Sequence, residues 1–458
     1  MSPDSPPIDT QQGAGRVSTG AHDNSYPPTA QAWGAVAVLC VLYTLSFVDR
    51  NLLSLMAVSI AQDLNLTDAQ LGVLYGAAFS VCYAVMGLPL GWALDRYSRR
   101  LIIWGGVVFW SFATMVCGLS YNFAMLFTAR AAVGAGEAVL IPGSQSVLAD
   151  TFPPGRLALP MSVFAVGAKI GGGVSFILGG LLAMLFPVSD VFSVPLLGHL
   201  KGWQLIFIVA GLPGLIISLA VFAIAEPVRQ HVPARRAGGA TYGDYFRFMA
   251  DNARFYIPHH IGIVGIMIIV NAINAWTPAY FVRVYDWKMD QVGFWLGLAL
   301  AIGPVVGIPF HGAISDKLFQ GGRRDGHLHY LKYMLCLAAV PSALVYLVPS
   351  PWVSLALVCV SQAIIAAYIG ILPTSLQLMV PGDLRGKGAS IAMLIGGVGG
   401  MAVGPSLIPF LTAHLFHDQT KIGLSLALCA VALFPFNAWL LSQAQKPMVT
   451  KLGTATVS

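Results

Sequence analysis

From Gln31 to Gln443 the chain is built from apolar runs of about 20 residues or more, the length a helix needs to cross the roughly 30 Å hydrocarbon layer of a bilayer. Twelve runs can be marked, at 32–62, 68–95, 99–121, 122–152, 156–187, 201–226, 255–286, 289–320, 326–348, 352–380, 384–416 and 419–446. In lipid each backbone N–H and C=O must be satisfied within its own segment, so these runs predict twelve transmembrane helices and an all-α membrane protein. Composition obeys the same constraint: 10% of residues are charged, against roughly 25% in a soluble domain.

A net charge of +6 would suit nucleic acid if the basic residues shared one surface. They are sorted by side of the membrane instead. With both termini in the cytoplasm, 18 Lys and Arg fall inside, 4 outside and 3 within spans. That is the positive-inside distribution, which predicts a lipid bilayer and no nucleic acid as partner. The six cysteines, at 40, 82, 117, 336, 359 and 429, stand singly in predicted helices and read as small packing residues. No metal or cofactor is expected.

The runs divide the chain into a cytoplasmic tail (1–30), a six-helix bundle (31–226), a cytoplasmic linker (227–254), a second six-helix bundle (255–446) and a short tail (447–458). The first tail is rich in Pro, Ser, Thr, Gln and Gly and has no apolar stretch beside the start Met, which predicts disorder and no cleaved signal. Within the linker, the segment from Tyr242 to Met249 mixes aromatic and charged residues and reads either as a surface-lying amphipathic helix or as a solvated tether.

The two bundles repeat each other. Gly91-Trp-Ala-Leu-Asp95-Arg96 followed by Arg99-Arg100 returns as Gly312-Ala-Ile-Ser-Asp316-Lys317 followed by Arg323-Arg324. A shift of 228 superposes Gly171 and Gly172 on Gly399 and Gly400, so the fifth and eleventh spans are equivalent and both carry a glycine face. Duplicated helix bundles point to rocking about a central site. The two loop signatures read as gate latches whose acids and bases bridge the halves in one of two states.

Five ionisable residues, Asp49, Arg50, Arg130, Glu137 and Lys169, fall deep inside predicted spans. Facing lipid, each would cost about 2.5–3.5 kcal/mol, together roughly as much as a whole fold is worth. They must face a wet cavity or one another. Counting about 1.5 Å per residue from opposite faces places both Asp49 and Glu137 near the midplane, where a carboxyl alternately desolvated and paired can take up and release a proton within one cycle. Glu137 is the expected proton carrier and Asp49 its partner or a second carrier, the plain alternative being that Asp49 only neutralises Arg130 or Lys169. Arg130 and Glu137, seven apart, share a helical face, whereas the neighbours Asp49 and Arg50 point about 100° apart.

Arg50 offers a guanidinium fork for an anionic head group, or else a permanent pair with Glu137 or Asp49. Lys169, whose repeat equivalent is Gly397, is a second phosphate contact or a counter-charge for Asp49. In the second half Asn274, Trp276 and Tyr368 are expected beside the substrate, with Asn271, Gln362 and Gln377 adding polar lining. His259, His260 and His311 read as interfacial or gate-lining residues. Mid-span charge is thus confined to the first half, and a cavity with one charged pole and one apolar wall suits an anionic or zwitterionic amphiphile better than a sugar.

The paired Gly-x-x-x-Asp-Arg/Lys loops, the Arg130-Ala-Ala-Val-Gly134-Ala-Gly136 run and the six-plus-six layout resemble the major facilitator superfamily. Phe47-Val-Asp49-Arg50-Asn51 and Arg130-x-x-x-Gly-x-Gly-Glu137-Ala resemble its Spinster-type branch. The resemblance implies two pseudo-symmetric six-helix bundles, a monomer in the bacterial inner membrane, and proton-coupled export of lysophospholipids or sphingosine-phosphate-like lipids. A proton symporter of small organic acids and a broad drug exporter are the same machine with other cargo. A membrane sensor or hydrolase is a different class, but no Gly-x-Ser-x-Gly or His-Glu-x-x-His motif stands in a span, so no enzyme is expected.

Overall fold

A computed structural model describes residues 26–152, 158–195, 197–224, 226, 241–381 and 384–454. The first 25 residues of the expected tail, the linker segment 227–240 and residues 455–458 lie outside the described residues.

Helix α1 (Thr29–Leu64) ends where Asn65 turns left-handed and returns its N–H to the Ala61 carbonyl. Thr67 then opens the next segment with a reciprocal capping box to Gln70. This second span is in two pieces, α2 (Asp68–Tyr75) and α3 (Ala77–Arg96), which meet at Gly76 in a non-helical conformation (φ −101°, ψ −83°). Next come α4 (Arg99–Gly118) and a fourth span broken into α5 (Phe123–Glu137) and α6 (Leu140–Thr151). Pro142 accounts for this second break, since it lacks an N–H and its ring crowds the carbonyl four residues back, at Ala138. After α7 (Ala158–Leu185), a small antiparallel hairpin of β1 (Val191–Val194) and β2 (Gly198–Lys201) leads into α8 (Gly202–Ser218).

The linker ends in α9 (Tyr242–Asp251), with Tyr245 buried and Tyr242 and Phe246 exposed. The second bundle follows as α10 (Ala253–Tyr285), a one-turn α11 (Met289–Gln291) running through a π-turn at Val292–Leu296 into α12 (Gly297–Gln320), then α13 (Gly326–Leu344), α14 (Pro351–Ile365), α15 (Ala367–Met379), α16 (Arg385–Leu411) and α17 (Ile422–Thr454). Eleven segments among the described residues have the length and hydropathy to span a membrane. The ninth span, α13, falls short because His327, His329 and Lys332 stand in its first turns, yet it packs against α14 and α17 as a member of the bundle.

The repeat governs the packing. The fifth span, α7, lies against the first and the eighth, and the eleventh, α16, lies against the seventh and the second. Two faces follow, a proximal one that carries the start of α1 and the end of α17 and a distal one that carries the turns at 65–67 and 286–288. The halves meet tightly on the distal side. There α2 seats on α16, the π-turn seats on α7 with Gly293 against Gly180, and the Ser54 hydroxyl of α1 donates to the carbonyls of Asn274 (3.1 Å) and Ala275 (2.7 Å) in α10. On the proximal side, the Cβ positions of Gly87, Gly91 and Gly312 face open space.

Candidate functional site

Beneath this distal seam the halves enclose a cavity of about 320 Å³. The first half contributes Phe47, Arg50, Asn51, Ser54, Phe79 and Arg130, and the second contributes Asn271, Asn274, Gln362 and Tyr368 beside Met267, Leu300 and Ile365.

The charged groups lie at the first-half wall. Arg50 Nε donates to Glu137 Oε2 at 2.5 Å, with the carboxylate fully buried and the guanidinium side chain 16% exposed at the cavity surface. Three aromatic rings hold the guanidinium: Phe47, Phe79 and Tyr83 have their centroids 5.0, 4.7 and 5.3 Å from its central carbon. Glu137 is the last residue of α5, at the break Pro142 enforces, and its second oxygen, Oε1, has no partner among the described residues.

Asp49 turns the other way, as the 100° offset requires. It is buried beside Trp110 and Thr114 of α4, and Arg130 Nη1 donates to its backbone carbonyl at 3.0 Å. Arg130 itself reaches the cavity wall and lies 5.7 Å from the Phe79 ring. The fold therefore brings Asp49, Arg50, Arg130 and Glu137 together, with Arg50 and Arg130 at the cavity and the carboxylates behind them. The side chain of Lys169 lies outside the described residues.

Asn274 and Tyr368 line the opposite side of the cavity, and Gln362 Nε2 donates to Asn274 Oδ1 at 3.2 Å. Trp276 does not reach the cavity. Two residues along from Asn274, it points to a different face of α10, is fully buried, and ties α10 to α16 through a 2.7 Å bond from its indole N–H to the Pro405 carbonyl. The aromatic wall comes instead from Phe47, Tyr75, Phe79 and Phe176. Gln377 is exposed rather than lining. His311 is engaged at both ring nitrogens, by the Tyr330 hydroxyl (2.8 Å) and the Ala363 carbonyl (2.9 Å), and His259 bonds Ser375 at 2.9 Å.

The loop signatures are tied within their own halves. Arg99 pairs with Asp150 at 2.6 Å, Arg100 pairs with Glu226 at 3.3 Å, and Asp316 pairs with His327 at 3.0 Å. Arg96 stacks over Trp92 at 4.4 Å, and Lys317 is exposed. The side chain of Asp95 lies outside the described residues. Sequence reading missed the Phe79 and Tyr83 cage, because aromatic residues are common in apolar spans, and the distal ion pair between Asp68 and Arg283.

Two six-helix bundles around a charged, membrane-embedded cavity define a polytopic transport protein. The model of the Major Facilitator Superfamily matches residues 39–405, and the chain belongs to that family. It is 27% identical over 407 residues to an MFS-type efflux pump of Mycolicibacterium smegmatis, which covers 88% of this chain and 90% of that protein. It is 26% identical to a probable L-galactonate transporter of Escherichia coli (72% of this chain, 73% of that protein) and 25% identical to the bovine protein spinster homolog 1 (73% and 62%). The crystal structure of a bacterial homolog to the human lysosomal transporter Spinster, in an inward-facing and unoccupied conformation, superposes with a TM-score of 0.75 at 23% identity, over 94% of this chain and 96% of that one. The resemblance to the Spinster-type branch holds, and neither the family nor the fold is that of an enzyme.

Proposed function

We propose that this chain is a proton-coupled secondary transporter that exports an amphipathic anionic or zwitterionic lipid, of the lysophospholipid or sphingosine-phosphate kind, by alternating access. The observation that carries the reading is the Arg50–Glu137 pair at the cavity wall. A phosphate entering the cavity competes with Glu137 for the same guanidinium. Once displaced, the buried carboxylate has lost its counter-charge and takes up a proton, so ligand and proton recruit one another through Arg50. Its unpartnered oxygen gives that proton a place to sit. Arg130 is the second head-group contact, Lys169 a third, and Asp49 the second carboxylate of the coupling site. The acyl chain runs along Met267, Val270, Leu300, Ile365 and Ile369.

The same reading places both termini in the cytoplasm of a bacterial inner membrane, the halves at 31–226 and 255–446 rocking as a monomer, and the loops around Gly91, Asp95, Arg96 and Gly312, Asp316, Lys317 as latches made when the proximal side closes. A second reading, symport of small organic acids, is favoured by the amides Asn271, Asn274 and Gln362 opposite the arginines, which suit hydroxyls, and by the sugar-acid transporter among the relatives.

Proteoliposome flux decides between them. Lysophospholipid movement driven by a pH gradient, lost in Glu137→Gln with the folded protein intact, is the expected result. Hexuronate transport indifferent to lysolipid would replace the lipid cargo, and unchanged pH dependence in Glu137→Gln would overturn the proton assignment.

A further inference from the structure

A second concavity, of about 1110 Å³, opens on the proximal face between the end of α9, the first turns of α10 and the last turns of α17. Three cations line it, Arg254, Lys446 and Lys451, against a single carboxylate, Asp251. Arg254 and Lys446 are exposed, while Lys451 is steadied by a 2.9 Å bond to Asn252 Oδ1 and by the Phe248 ring 4.0 Å away. Its floor is apolar, formed by Phe255, Pro258 and Met379, all buried.

What continues from the cleft toward the membrane interior is lipid-facing surface. Ile257 and Ile261 on α10 and Phe436 and Trp439 on α17 are exposed apolar side chains one to several turns further into the bilayer. Beside the cleft, α9 buries Tyr245 and leaves Tyr242 and Phe246 outward, the arrangement of a helix lying at a headgroup boundary.

We propose that this cleft holds the head group of an anionic phospholipid from the adjoining leaflet, with its acyl chains against the outer surface of α10 and α17. Charge selects the ligand: three cations against one acid leave an excess that a phosphodiester without a counter-charge satisfies, whereas phosphatidylcholine brings its own cation. Apolar continuity selects a lipid over a soluble anion, because the groove below the cations is already facing hydrocarbon. The bound lipid ties the end of the inter-half linker to the last helix and so fixes the second bundle at the interface. This site is separate from the central cavity and does not depend on what that cavity carries.

The test is a titration of the full-length protein with short-chain phosphatidylglycerol or phosphatidylcholine, read as thermal shift and as retained lipid by native mass spectrometry. Phosphatidylglycerol is expected to raise the Tm and be retained, and phosphatidylcholine is not. Arg254→Gln with Lys446→Gln is expected to weaken half-saturation by phosphatidylglycerol roughly tenfold, with the Tm in phosphatidylcholine unchanged. Lys446→Arg should keep the response, as should Lys332→Gln, a cation of the second bundle away from the cleft. An unaltered phosphatidylglycerol titration in the double variant overturns the site. Inorganic phosphate reproducing the whole shift overturns the lipid as occupant. Flux plays no part in either readout, so failure here leaves the transport reading standing and the reverse also holds.

Discussion

Asp68 accepts two hydrogen bonds from Arg283, Nη1 to Oδ2 at 2.8 Å and Nη2 to Oδ1 at 2.7 Å, and so joins the first turn of α2 to the last turn of α10 across the divide between the bundles. Each charge sits at the helix end that favours it. The pair is partly buried, with 11% and 24% of the side chains exposed, so its two parallel bonds are not lost to solvent screening. Neutralising either partner, by Asp68→Asn or Arg283→Gln, is expected to remove about 1.5–3 kcal/mol from the distal-closed state and to shift its ratio to the open state roughly ten- to hundredfold. The check is labelling of a cysteine placed at Asn271, in the cavity, by an impermeant reagent added from the distal side. Faster labelling in both variants, partly reversed by exchanging the two charges, is the expected pattern, and an unchanged rate would show that the pair is not a latch.

Arg50 and Glu137 predict an asymmetry in stability. Removing the guanidinium with Arg50→Ala strands a fully buried carboxylate beside three aromatic rings and is expected to cost about 3–5 kcal/mol. Adding Glu137→Gln removes the stranded charge, so the double variant should regain most of that loss despite carrying one more substitution. Thermal unfolding in detergent compares the three proteins. If the double variant is less stable than Arg50→Ala by the full additive amount, the two side chains do not act as one unit.

Two glycines separate the faces by their surroundings. A Cβ at Gly76, where the second span breaks, would come within 2.3 Å of the Met401 carbonyl oxygen on α16, whereas one at Gly91 meets nothing within 4 Å. Gly76→Ala should therefore wedge the distal seam open and speed labelling of the same cavity cysteine. Gly91→Ala should leave the Tm in this conformation unaltered yet slow transport, because the proximal ends must close on it in the opposite state. Wild-type flux in Gly91→Ala would remove the first loop signature from the gate.

The spans, the repeat and the buried charged cluster were legible because lipid is an unforgiving solvent: apolar length and the cost of a buried charge leave a mark in a single chain. Arg50, Glu137 and Arg130 announced themselves by being charged where charge is expensive. Trp276, expected beside the substrate, lies away from the cavity: a Trp between polar residues and a proline carries no mark of which face it takes, and that is settled by the carbonyl of Pro405, far away in sequence. Asp68 and Arg283 are charged at the membrane surface, where charge costs little, so neither stood out. A usable signal was present nonetheless. Positive residues are scarce on the distal side, and two of the few there are engaged, Arg283 with Asp68 and Lys201 with Asp63, so a cation against the sidedness rule marked a structural task.

Glu226, just beyond the sixth span, gathers the first loop signature. It accepts the Ser98 hydroxyl, the Arg99 backbone N–H at 2.8 Å and Arg100 Nε at 3.3 Å, so it caps α4 from outside while Ser98, at the N-cap, spends its hydroxyl on Glu226. Partial burial pushes its carboxyl up, but the bonds from Ser98, the Arg99 N–H and Arg100 outweigh that and hold it below the ordinary glutamate value. A carboxyl with a depressed folded pKa adds stability above its unfolded pKa, about 4.3, and that contribution fades as pH falls through the lower, folded value. Glu226→Gln is therefore expected to lose about 1 kcal/mol at neutral pH. The gap between variant and wild type should close only below about pH 4, as wild-type Glu226 itself becomes protonated. Thermal shifts of both proteins across that range measure it, and a gap that stays constant down to the lowest pH would mean that the carboxylate charge contributes nothing to the cap.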